Sequence, residues 1–247
     1  MKELTKPRLA FSFLLLLLAA PATLAGPPFR TDDPQPVDYL HWEFYVASQQ
    51  MLAAGETDAT LPHFEVNFGV IPNMQLHLVA PLVYVHAAGA THYGYADTEI
   101  GIKYRFVEES ESCPQIGAFP LVEIPTGNEE KGLGNGKIQA FVPVWAQKSW
   151  GKLTTYGGGG FWYNPGPDRR NWGFAGWELQ YDFSQALTLG GELYYQTADT
   201  RDGQSSDGFT FGGIVNLNEQ NHLLFSIGHS LSGAGETSSY IAYQLTI

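Results

Sequence analysis

From position 39 to its end the chain repeats one pattern: stretches in which every second residue is apolar. In 98–106, Ile100, Ile102, Tyr104 and Phe106 alternate with Glu99, Gly101, Lys103 and Arg105. Trp177, Leu179, Tyr181 and Phe183 alternate with Glu178, Gln180 and Asp182, and Phe64, Val66, Phe68 and Val70 with His63, Glu65 and Asn67. A two-residue period is the signature of strands with two unlike faces. Twelve such strands are expected, at 39–50, 59–71, 74–85, 98–107, 114–124, 137–148, 153–163, 171–183, 186–197, 208–218, 221–231 and 238–247. Each is long enough to match the roughly 9–11 residues that a tilted strand needs to cross a bilayer.

The connections carry a second rhythm. Short ones (72–73, 108–113, 149–152, 184–185, 219–220) alternate with longer ones (51–58, 86–97, 125–136, 164–170, 198–207, 232–237). Short turns at one end, long loops at the other and an even strand count describe an up-and-down outer-membrane β-barrel. Pro81, Pro120 and Pro143 each remove a ladder donor and predict irregular pairing. Four glycines at 157–160 fall inside a predicted strand, flanked by Tyr156 and Phe161.

Lys2, Lys6 and Arg8 precede an apolar run at 9–20, then Pro21 and the small-residue site Thr23-Leu24-Ala25. That is the layout of a secretory signal peptide. Cys113 is the only cysteine, so no intrachain disulfide framework exists despite the oxidising destination. Cleavage after Ala25 removes three positive charges and one negative, taking the formal charge from −12 to −14. So acidic a chain excludes nucleic acid as a partner. No later segment is an apolar run long enough for a transmembrane helix, so a bilayer could be spanned only by a closed sheet. The expected organisation is a leader at 1–25, a periplasmic lead-in at 26–38 and an all-β transmembrane antiparallel barrel at 39–247.

Alternation alone does not say which face meets solvent. A soluble periplasmic barrel has the same period with the faces reversed. The large aromatic faces favour the membrane, as does the last strand, with Tyr243, Leu245 and Ile247 on one face. It resembles the C-terminal signal read by the outer-membrane insertion machinery, although it ends in Ile247 rather than Phe or Trp. Three motif groups also resemble a family. They are Gly26-Pro-Pro-Phe-Arg-Thr-Asp-Asp33 with His41-Trp-Glu-Phe-Tyr45, Pro125-Thr-Gly127 with Gly132-Leu-Gly-Asn-Gly136, and Pro143-Val-Trp145 with Trp150-Gly151 and Tyr156 to Gly160. With Leu189-Gly-Gly-Glu-Leu193 they are similar to the barrels called MetA-pathway of phenol degradation proteins. The resemblance implies an outer-membrane location in contact with lipid, and transport of small, including aromatic, solutes. It implies no catalytic residue and no cofactor.

On the membrane reading the polar set faces the lumen: His41, Glu43, His63, Glu65, His77, Glu99, Lys103, Arg105, Glu123, Glu178 and Glu192, with Asn67, Gln139, Gln180 and Gln196. A Lys or Arg on the lipid face costs roughly 2–4 kcal/mol at the midplane, which places Lys103 and Arg105 inside. Facing carboxylates from Glu65 or Glu123 would then pair with them at a constriction. Such a network could line a selective pore or fill the barrel as packing. His41, His63 and His77 share the inner parity but lack metal-site spacing. His229 lies on the other parity from Ser226 and Ser230, against a hydrolytic triad. The glycine-rich loop 127–137 is not a phosphate-binding loop, because Lys131 stands where its first glycine should be. It reads as an outside loop able to fold into the mouth.

Overall fold

The computed structural model describes residues 27–233 and 235–247; the predicted leader lies outside the described residues. Fourteen strands follow in chain order: β1 (Trp42–Ala53), β2 (Glu56–Ile71), β3 (Met74–Ala87), β4 (Ala90–Tyr95), β5 (Thr98–Val107), β6 (Gln115–Ala118), β7 (Leu121–Ile124), β8 (Gln139–Trp150), β9 (Leu153–Tyr163), β10 (Trp172–Ser184), β11 (Leu187–Gln196), β12 (Ser206–Asn216), β13 (Asn221–Ser230) and β14 (Thr237–Thr246). All ladders between them are antiparallel, and the sheet closes where β1 pairs with β14 from Glu43↔Thr246 to Leu52↔Thr237.

Fourteen strands make a twelve-stranded wall. β6 and β7 are halves of one wall strand, each pairing with both β5 and β8. The break falls at Phe119-Pro120, where the proline has no N–H to give the ladder. The irregularity expected near Pro81 is also present, as a register shift opposite it between Thr60 and His63. At Pro143 the ladder with β9 runs on without a shift, and the glycines at 157–160 lie within β9.

β4 pairs with β3 alone and extends that hairpin beyond the wall. Two of the expected long loops are therefore ribbon. Segment 51–58 shrinks to the turn at Ala54-Gly55, and much of 86–97 becomes β4. The β3–β4 turn is tight because both Ala88 (φ 51°) and Gly89 (φ 76°) take left-handed conformations, the geometry that matches strand twist in two-residue hairpins.

Polarity is inverted relative to a soluble domain. Gln75, Gln115, Gln147, Gln180 and Gln244 are buried, while Val144, Phe161, Trp177, Phe211 and Ile241 are more than 45% exposed. The outer face is a continuous apolar band, far beyond the few hundred Å² that a soluble monomer leaves uncovered. Aromatic residues ring both ends of it: Trp42, Tyr104, Trp150 and Tyr243 near the short turns, and Tyr95, Tyr163, Tyr195 and Phe209 near the long loops. Two aromatic girdles around an apolar belt are what a bilayer demands of a barrel. A charge on this band is expected to cost about 2–4 kcal/mol near its middle. Val144→Arg on β8 should therefore lower the urea midpoint of the vesicle-folded protein and weaken its heat-modifiable gel mobility. An unchanged midpoint would mean that this face does not meet lipid.

Candidate functional site

The polar faces of the wall surround a lumen, and the chain's own N-terminal segment runs through it. Residues 27–37 are buried or half-buried; the segment expected as a separate periplasmic lead-in is folded into the barrel instead. Its contacts reach strands all round the wall. Ser226 Oγ on β13 donates to Pro28 O (2.7 Å), and Glu192 on β11 accepts from Thr31 N (2.5 Å). Lys103 Nζ on β5 reaches Asp32 (2.9 Å) and Asp33 (3.4 Å). Gln75 on β3 accepts from Val37 N (2.8 Å). The Arg30 guanidinium lies 4.4 Å from the centre of the Tyr194 ring.

Wall glycines make room for this segment. A Cβ at Gly176 would fall on Thr31 Oγ1, one at Gly69 on the backbone of Asp38, and one at Gly117 would touch Pro34. These three positions carry the lumen parity of their strands. They were the available sequence signal that something packs against the inner wall, and it was missed.

The segment divides the lumen. A cavity of about 630 Å³ lies toward the long loops and one of about 130 Å³ toward the short turns; Pro27 and Asp32 line both. The predicted site residues are distributed around this division. His77 is a hub on β3: Nδ1 meets Asn67 Oδ1 (2.7 Å), Nε2 meets Glu99 Oε1 (2.9 Å), and Glu65 is 3.6 Å away. Asn67 also donates to Glu65 (2.8 Å), so β2, β3 and β5 share one network. Glu43 accepts from Tyr45 (2.8 Å), and His63 pairs with Thr60 (2.7 Å). Glu178 faces Glu192 across β10 and β11, and neither oxygen of the buried Glu178 has a hydrogen-bond partner. Glu123 accepts from Asn135 (3.2 Å). Asn135 belongs to loop 127–137, which Asp97 pins by accepting from Gly127 N and Asn135 N (2.9 and 2.6 Å). The loop is thus folded into the mouth.

Two expected pairings are corrected. Lys103 does not pair with Glu65 or Glu123, because the carboxylates of the threaded segment reach it first. Among the described residues Arg105 bonds no carboxylate; its guanidinium is held by Asn73, Gln35 and Gln115. His41 precedes β1 and sits exposed at the rim, where it lines the smaller cavity with its ring on Tyr39 O (3.1 Å). The three histidines are accordingly held by different partners, and among the described residues no group of His, Cys, Asp and Glu is arranged to hold a metal.

The β8–β11 side of the lumen is aromatic. Trp172 stacks on Trp162 (5.5 Å) and Trp162 on Phe141 (4.9 Å). Trp145 meets Phe141 and Phe174 edge-on, and Phe174 stacks on Tyr194. Trp162 and Trp172 did not stand out in the sequence, because they lie at strand ends where parity is hard to read.

Comparison with known proteins places this architecture. No protein-family model and no curated protein matches the sequence, so no match attaches the MetA-pathway name to this chain. Solved structures share its fold. The COG4313 outer membrane channel from Pseudomonas putida F1 superposes with a TM-score of 0.71 at 15% identity, over 87% of this chain and 98% of that one. The KdgM porin in complex with disordered oligogalacturonate gives 0.58 at 10% identity, over 81% and 98%. The translocator domain of the autotransporter NalP from Neisseria meningitidis gives 0.58 at 12% identity, over 84% and 89%. The chain thus has the closed antiparallel fold of outer-membrane barrels, a fold that serves more than one task.

Burial of Asp33 makes the docking of the segment pH-dependent. Burial pushes the Asp33 carboxyl up from 3.8 to about 7, against the opposing pull of Lys103. The docked segment therefore holds a proton that a free one releases. Docking is strongest below 3.8, weakens as pH rises from there to about 7, and is level above that. A spin label at position 38 (Asp38→Cys with Cys113→Ser) is expected to be immobile at pH 4 and more mobile at pH 7.5. Asp33→Asn should remove the difference; a label equally immobile at both values would count against this linkage.

Proposed function

We propose that the protein is an outer-membrane channel for small solutes, with a bore set by its own N-terminal segment. The observation that carries this reading is the pair of cavities on either side of that segment, with Glu65 and Phe119 of the wall completing the division. A wall that merely filled itself with side chains, as small barrels do, would leave no such space on both sides of a docked segment. The apolar outer band and aromatic girdles support the location, and the outer-membrane channels among the similar folds support the activity class. Ser226 and Ser230 do not meet His229 as a nucleophile and base. His229 is exposed and bonds Thr237, while Ser226 and Ser230 are buried on the other face.

Lys103 is the clamp in this reading, because it is buried and holds both Asp32 and Asp33. Removing one partner of a buried pair costs roughly 3–5 kcal/mol, so loss of Lys103 is expected to loosen the segment. Planar-bilayer recording of purified protein tests the proposal. The native chain is expected to show small, steady conductance, and Lys103→Met or deletion of 27–37 a severalfold larger one. Conductance only after deletion would establish a plugged barrel instead. No conductance from any form, or recovery of the protein in the soluble periplasm, would overturn the channel.

A further inference from the structure

We propose that the larger cavity binds organic cations with a flat apolar body, of which arylalkylammonium ions are the simplest. The proposal deepens the channel reading by naming a solute class, although binding can be measured without transport.

Two independent features meet at this place. Glu99 on β5 and Glu123 on β7 are directly opposed in the ladder, and both line the cavity. Like charges in directly opposite positions destabilise a sheet. Among the described residues, no Lys or Arg forms an ion pair with either one. Glu99 has His77 beside it, and Asn135 reaches only Oε2 of Glu123. An ammonium group in the cavity would relieve the repulsion that the wall leaves in place.

The second feature is the aromatic stack. Phe141, Trp162 and Trp172 lie nearly parallel, at interplanar angles of 10° and 11°. They are register neighbours across β8, β9 and β10. Glu123 pairs with Gln139, two residues from Phe141 along β8, so the acid pair lies one step along the wall from the stack. Within the stack Trp162 is covered on both sides by Phe141 and Trp172, so the outer faces of the terminal rings are the ones left to a ligand; aromatic faces attract cations, most strongly where water is excluded, and a flat apolar body can extend the stack there. An anion would meet Glu65 and Asp97 on the same lining, where Arg30 is the one guanidinium among the described residues; Arg169 stands near Glu123 but forms no ion pair with it.

The test uses three probes with one body: 2-phenylethylammonium, phenylacetate and 2-phenylethanol. Each is titrated against tryptophan fluorescence of the full-length protein in detergent, and against single-channel current in bilayers. The ammonium should bind about tenfold more tightly than either of the others, the scale of a desolvated cation–aromatic contact. Glu123→Gln should weaken the ammonium alone, and Trp172→Leu should weaken all three, with heat-modifiable mobility confirming folding. Should Glu123→Gln fail to fold, Glu99→Gln replaces it, and the ranking of the three probes on the native protein stands by itself. Phenylacetate binding as tightly as the ammonium, or ammonium binding unchanged in the glutamate variant, overturns the proposal. Selective binding without conductance would sink the channel and keep the site, whereas conductance without selective binding would sink the site alone.

Discussion

Ring closure is the constraint on which the rest depends. In hydrocarbon an unpaired backbone N–H or C=O costs several kcal/mol, so a spanning sheet must have no edge. The ten-pair ladder between β1 and β14 removes the two edges that twelve strands in an open sheet would leave. Closure then assigns the faces. Once the outside is committed to an apolar band, every Glu, Gln, Lys and His on the opposite parity is carried inward together, since successive side chains on a strand point to opposite faces. The interior is consequently polar, and it must satisfy its own hydrogen bonds as a soluble core need not.

That requirement explains the chemistry of the lumen wall. A buried carboxylate with no partner is costly, and most here have one within the wall or the segment. Glu65, His77, Asn67 and Glu99 answer one another. Glu192 is answered by a backbone N–H of the segment and by Thr210 (3.2 Å). Lys103 shows the limit of pairing by proximity on the wall alone. It sits four residues from Glu99 on the same strand, yet its partners are some seventy residues away in sequence.

What the sequence made legible follows from the same geometry. Period two is a property of each strand by itself, so the lumen parity of Glu65, His77, Lys103, Glu178 and Glu192 could be read without knowing any neighbour. The sign of the faces could not, because inside-out and outside-in barrels share one period. Ribbon lengths were misread where a turn needs only two residues, as at Ala88-Gly89. Partners were misread wherever they came from another part of the chain. Nothing local to 98–107 indicates that Asp32 and Asp33 will meet Lys103, or that Gln35 will take a place beside Arg105.

The N-terminal segment is the sharpest case, and its composition suits its place. Pro27, Pro28, Pro34 and Pro36 give it no periodicity, so it reads as a linker. Inside a polar lumen the same prolines are an advantage. A chain crossing a barrel without joining a sheet must find a partner for every backbone donor, and each proline removes one. Four of the remaining N–H groups are answered by side chains: Thr31 by Glu192, Asp33 by Asp32, Gln35 by Asp33, and Val37 by Gln75. Two of those acceptors lie on the wall and two within the segment. Local Asp turns shape the segment, while Glu192 and Gln75 fix it at either end of its path. The glycines at 69, 117 and 176 supply the space that such a path needs. Proline in the segment, aspartate at its turns and glycine on the wall are three parts of one arrangement, and only the closed barrel brings them into register.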